Sequence, residues 1–194
     1  MEQQHEPRNM SSKNHRRGPW TIQQQHTVYE NPWIKVDHHD VTAPTGKTGI
    51  YGTVSFKGGA VAVLPLADNG DTWLVGQHRF PLDEYSWELP MGGCPKDEQP
   101  LEAARRELRE ETGLSASSWQ GLGHYHVSNC ITDEQAWGFL AEGLEQGDTE
   151  FDDTEELAIQ RLPFDEVLAM TLDGRITDLV SVAVIQRARL LGLA

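Results

Sequence analysis

A chain of 194 residues, 38% of them hydrophobic, can bury one proper core and is too short for two large domains. A formal net charge of -14 excludes a protein that holds nucleic acid by covering its phosphates with a basic surface. With only Cys94 and Cys130, no run near the roughly 20 apolar residues that span a bilayer and no apolar signal-peptide core, an unexported cytoplasmic protein is expected, without membrane or stable nucleic-acid partners.

Residues 1 to 18 are polar and basic and bury too little surface to order themselves, so a disordered tail is expected there, with one domain over 19–194. From Trp20 to Phe80, β-branched and aromatic residues come in short bursts: "WTIQQQHTVYE", "WIKVDHHDV", "TGIYGTVSF", "GAVAVLPLA" and "TWLVGQHRF". Asn31-Pro32, Gly58-Gly59 and "DNGDT" separate them, which predicts strands joined by turns. Then come "SWELP", a Gly-Gly loop, a helix, and two further strands, "GHYHVSN" and "EQAWGFLAEGL". An acidic loop, "EQGDTEFDDTEE", precedes a strand "LAIQRLP", a short helix "FDEVLAM", and a longer helix whose inward face is sought among Leu179, Val182, Val184, Ile185 and Leu190. Strands on both sides of a central helix predict an α/β fold, a mixed sheet packed between helices.

The central helix poses an electrostatic problem. Pro100 suits a first turn and Gly113 the position past the end, so the helix should run from about 100 to 112. Leu101, Ala104 and Leu108 supply its packing stripe. Glu107, Glu110 and Glu111 then crowd the C-terminal turns, where they repel one another and the helix dipole. Two readings answer this: a solvated acidic face relieved by Arg105, Arg106 and Arg109, or a ligand set for a divalent cation with all-oxygen coordination.

The wider spacing bears on the choice. Gly92, five residues, Glu98, seven residues, then Arg106-Glu107-Leu108-Arg109-Glu110-Glu111-Thr112-Gly113-Leu114 resembles the Nudix hydrolase signature at every fixed position. That resemblance implies a loop-helix-loop motif inside an α/β/α sandwich, here with N-terminal antiparallel strands, that cleaves a nucleoside diphosphate linked to another group with Mg²⁺ or Mn²⁺. Carried onto this chain, it implies that Glu107, Glu111 and the carbonyl of Met91 ligate metal. Glu110 would ligate a further metal or hold its water. Arg106 would orient the acids, Glu98 would pair with it or reach a metal through water, and Gly92 and Gly93 would let the backbone approach cation and phosphate.

The flanks resemble the ADP-ribose pyrophosphatase and nucleoside-diphosphate-sugar branch of that family. "VGQHRFPLDEYSWELPMGG" is similar to its lead-in, which implies substrate binding by Arg79 and by Glu88, through which the chain enters the box. The branch also implies a homodimer, built in part by the strands of 19–47, and a general base from a loop outside the box. Glu155 is the first candidate, Glu134 the second, with Asp153 in the same acidic loop. Trp33 is weighed as a base-stacking residue against a core or dimer contact. Where ADP-ribose enzymes commonly carry Ser-Pro-Gly, this chain reads Ser128-Asn129-Cys130, which leaves room for GDP-mannose or other nucleotide sugars.

Other patterns are set aside. "TGKTG" at 45 to 49 lacks the first glycine of a phosphate-binding loop and precedes a strand. His124 and His126 share a strand face without a third zinc ligand, His38 and His39 point to opposite faces, and Cys130 reads as a small packing residue. A non-catalytic nucleotide-sensing module is the rival reading, and such modules are expected to lose some of the acids that this chain keeps.

Overall fold

The computed structural model describes residues 15–147 and 157–194, in which fourteen secondary-structure elements follow one another. The chain divides into two compact units, Met1–Lys57 with Ser128–Glu134, and Gly58–Val127 with Gln135–Ala194.

The first unit is a four-stranded antiparallel sheet in the order β1 (His15–Arg17), β2 (Trp20–Glu30), β3 (Ile34–Thr42) and β4 (Thr48–Phe56). β1 lies inside the stretch read from sequence as tail: Gly18, at φ 57, turns the chain so that Arg17 pairs with Trp20. "TGKTG" is the turn between β3 and β4, closed by Ala43 N–H to Lys47 O at 2.8 Å, with Gly46 at φ 85. It is a hairpin, not a phosphate loop. On β3 the side chains alternate strictly, which buries Asp37, His39 and Val41 and leaves His38 on the other face.

The second unit holds two sheets and three helices. One sheet has the order β8 (Met91–Pro95), β5 (Gly58–Pro65), β10 (Gln135–Gln146), β9 (Leu114–His126), with β5 and β10 parallel and the outer pairs antiparallel. The other is antiparallel, in the order β11 (Ala158–Pro163), β6 (Asp71–Arg79), β7 (Glu84–Glu88). "GAVAVLP" is apolar throughout because β5 is buried on both faces. Val61 and Val63 join Ala103, Ala104 and Leu108 of α1 (Pro100–Thr112), while Ala62 and Leu64 join Val167 and Met170 of α2 (Phe164–Asp173) and Val184 and Ile185 of α3 (Leu179–Leu190). Two layers of helix thus enclose one mixed sheet, the α/β/α arrangement expected.

Three readings of the sequence need correction. The Gly-Gly "loop" is strand β8, pairing Gly92 with Val61 and Gly93 with Ala60. β9 begins at Leu114, not near Gly123, because cross-strand pairing with the whole of β10 overrides the weak strand propensity of "SASSWQG". α3 buries Val180, Ser181, Val184, Ile185 and Ala188, while Leu179 and Leu190 are exposed. Among the described residues no helix is long and apolar enough to cross a membrane.

Candidate active site

Helix α1 ends as its sequence dictates. Gly113 adopts φ 70 and donates its N–H to Arg109 O at 2.8 Å, a left-handed cap that a side chain would strain. The 3.6-residue period puts Ala104 and Leu108 into the core and turns Arg106, Glu107 and Glu110 to another side, beside the β8 strand.

Arg106 is the hub of that side. Its Nε and Nη2 donate to the Glu98 carboxylate at 3.3 and 2.9 Å, Nη1 donates to Glu107 Oε1 at 2.6 Å and Glu110 Oε2 at 3.1 Å, and Nη2 also donates to Gly93 O at 2.9 Å. One cation therefore binds three acids and the β8 backbone, and the pairing expected between Glu98 and Arg106 is direct. The Glu98 bond comes first among the causes that push the Arg106 guanidinium above its ordinary pKa, so it stays charged. Replacing Arg106 with Met keeps the apolar stem and strands the acids. We expect a lower urea midpoint, worth about 1–3 kcal/mol of stability. A midpoint unchanged from wild type would show that solvent alone screens Glu98, Glu107 and Glu110.

Glu111 is held by the backbone of β8. It is 3% exposed, and its Oε2 accepts the N–H of Met91 at 2.9 Å, which ties the helix end to the start of β8. Gly92 lies against Glu107: a Cβ built there would overlap the Glu107 carboxyl group, whereas one at Gly93 would meet none of the described residues within 4 Å. Among the described residues, packing requires only the first of the two glycines.

On the second sheet, Arg79 donates Nε to Glu88 Oε1 at 2.9 Å and Nη2 to Glu88 Oε2. Glu88 is buried and both its oxygens face Arg79, so the passage into the box runs over an ion pair. The bond to Glu88, followed at longer range by Asp178 and Glu111, raises the pKa of Arg79. Ser181, which sequence reasoning missed, is fully buried and its Oγ accepts the N–H of Leu89 at 3.0 Å. No sequence signal marks it, since 92 residues separate the partners.

Glu134 belongs to the first unit, where its N–H donates to Thr132 Oγ1 at 3.4 Å. Glu155 and Asp153 lie outside the described residues. Trp33 is 72% exposed, which excludes it from the core of its own unit. Cys130 is exposed, not packed; its carbonyl accepts the Tyr51 hydroxyl. The His124 ring stacks on Trp137 at 5.1 Å, and the His126 ring lies 5.1 Å from that of His124.

Comparison with known proteins matches residues 57–180 to the NUDIX domain and residues 20–54 to the nucleoside diphosphate sugar hydrolase N-terminal domain. The chain belongs to the Nudix family. Among curated relatives, an ADP-ribose pyrophosphatase of Bacillus subtilis (strain 168) is 33% identical over 84% of this chain and 89% of its own length. A GDP-mannose pyrophosphatase of Yersinia enterocolitica serotype O:8 / biotype 1B (strain NCTC 13174 / 8081) is 34% identical over 70% and 75%. A solved structure described as an ADP compounds hydrolase superposes with a TM-score of 0.80 at 22% identity, covering 89% of this chain and 93% of its own, and establishes the shared fold.

Nudix hydrolases generally use divalent metal ions, and the donor set of this Nudix chain fits one. Glu107, Glu111 and the Met91 carbonyl would offer the hard oxygen donors such an ion takes, and the glycine at 92 leaves the Glu107 carboxylate the volume it occupies against β8. Among the described residues no three carboxylates, imidazoles or thiols are grouped so as to hold a metal ion by themselves.

Proposed function

We propose that this chain hydrolyses the pyrophosphate bond of ADP-ribose or a related nucleoside diphosphate sugar, releasing a nucleoside monophosphate and a sugar phosphate, with Mg²⁺ or Mn²⁺ as cofactor and a cytoplasmic homodimer as the working form. The observation that carries the reading is the gathering of the box acids at one edge of β8, with Arg106 binding Glu98, Glu107 and Glu110 and Met91 binding Glu111. GDP-mannose stands beside ADP-ribose as a substrate because Asn129 and Cys130 replace the proline and glycine common in ADP-ribose enzymes.

A cation held by Glu107, Glu111 and the Met91 carbonyl would neutralise the diphosphate oxygens, lower the pKa of the attacking water and stabilise the leaving phosphate. The chain's own work is placement. Arg106 keeps the helix acids together against their mutual repulsion, Met91 N–H holds Glu111 in its buried position, and Arg79 offers N–H donors to an anionic oxygen. Glu155 is proposed as the general base that takes the water proton, with Glu134 as the second candidate.

The test is a panel of ADP-ribose, GDP-mannose, UDP-glucose, NADH, dinucleoside polyphosphates and capped RNA, with products identified by mass. Cleavage at the pyrophosphate, lost on chelation and restored by Mg²⁺ or Mn²⁺, is expected. Binding of these compounds without turnover would move the chain to the sensing class. Of Glu155→Gln and Glu134→Gln, the variant with the larger fall in kcat identifies the base.

A further inference from the structure

Arg79 and Glu88 stand on antiparallel neighbours in which Arg79 pairs with Glu84 and Val75 pairs with Glu88. The arginine side chain runs back along the strand pair to meet a carboxylate four residues beyond its own cross-strand partner. Both oxygens of Glu88 receive a donor, one from Nε at 2.9 Å and the other from Nη2. The Glu88 side chain is 4% exposed and that of Arg79 36%, so the acid lies beneath and the guanidinium is the solvent-facing partner. The next residue, Leu89, is fixed by Ser181 Oγ at 3.0 Å, and Pro90 O accepts Val63 N–H at 2.8 Å, so the support under the pair is itself tied down.

We infer that Glu88 is a positioning residue: it touches no ligand and sets the plane of the Arg79 guanidinium, whose remaining N–H donors then meet a substrate phosphate in a fixed direction. The inference rests on the proposed function, and it deepens that function by assigning how the diphosphate is gripped. A forked pair carries no net charge, so Arg79 attracts an anion only weakly from a distance. What the pair retains is directed hydrogen bonding and an arginine whose rotamer freedom is already lost before the ligand arrives.

Charge and direction predict opposite signs. Glu88→Gln removes a negative charge beside the ligand, so attraction alone would tighten anion binding and lower KM. Loss of direction instead raises KM about tenfold, the size of one charge-assisted hydrogen bond, with a smaller change in kcat. Arg79→Lys, which keeps the charge and loses the fork, is expected to raise KM similarly, and the double variant should be no worse than either single one.

The measurements are KM and kcat on the best substrate of the panel and calorimetric titration of ADP onto full-length wild type, Glu88→Gln, Arg79→Lys and the double variant. Thermal melting serves as the fold check. Weaker ADP binding and raised KM in both single variants, without additivity, support the inference. Should Glu88→Gln fail to fold, Arg79→Lys decides, because its side chain is partly exposed: unchanged or tighter binding there overturns the inference. A wild type that cleaves nothing in the panel overturns the functional reading alone, since the ADP titration still reports whether Glu88 positions Arg79.

Discussion

Glu111→Gln is expected to lower kcat/KM by roughly a thousandfold, the scale of losing several kcal/mol of charge stabilisation in the transition state. The exchange conserves volume, and the glutamine oxygen can still accept the Met91 N–H that the Glu111 carboxylate accepts at 2.9 Å. The residue is 3% exposed, so the native acid carries a desolvation cost, and it repels Glu107 one turn earlier. Removing that charge should leave the melting temperature unchanged or raise it in metal-free buffer, while Mn²⁺ affinity falls. Stability and activity moving in opposite directions is the signature of a site whose charges are kept for a ligand. A kcat/KM within tenfold of wild type would sink the metal role of Glu111 and leave it a buried tie between α1 and β8.

The legible part of this protein was local. Pro100 and Gly113 mark both ends of α1 because proline fits a first turn and glycine alone reaches φ 70 without strain. β2, β4 and the apolar run of β5 read directly from alternation or its absence. The helix acids and Arg106 are legible for the same reason: they lie within two turns of one helix, and helix geometry fixes which of them meet. What stayed hidden depends on partners distant in sequence. β8 looked like a loop because two glycines and a proline argue against a strand, and only β5 makes it one. Leu179 and Leu190 looked inward by composition, yet the buried face of α3 runs through Ser181, whose hydroxyl meets Leu89. Glu88 could be placed near the box but not turned toward Arg79, since that contact depends on the register of β6 on β7.

Gly92→Ala is expected to fold normally and to lose about 10–100-fold in kcat/KM together with a comparable part of its Mn²⁺ affinity. The added methyl group would fall on the Glu107 carboxyl group. That carboxyl is the far end of a flexible side chain, so the chain backbone need not move and the carboxylate swings aside instead. Its present place is set by Arg106 Nη1 at 2.6 Å, and any swing weakens that bond while moving the proposed metal-binding oxygen from its position beside β8. Far-ultraviolet dichroism and the melting curve should match wild type within a few degrees. Gly93→Ala separates the causes. A Cβ there meets no atom of the described residues within 4 Å, so interference with ligand approach is the effect expected, and its loss should fall between wild type and Gly92→Ala. Equal losses would mean that the glycines serve closeness to the substrate; a loss confined to Gly92→Ala would mean that the first glycine serves the seat of Glu107, which a sequence motif alone does not distinguish.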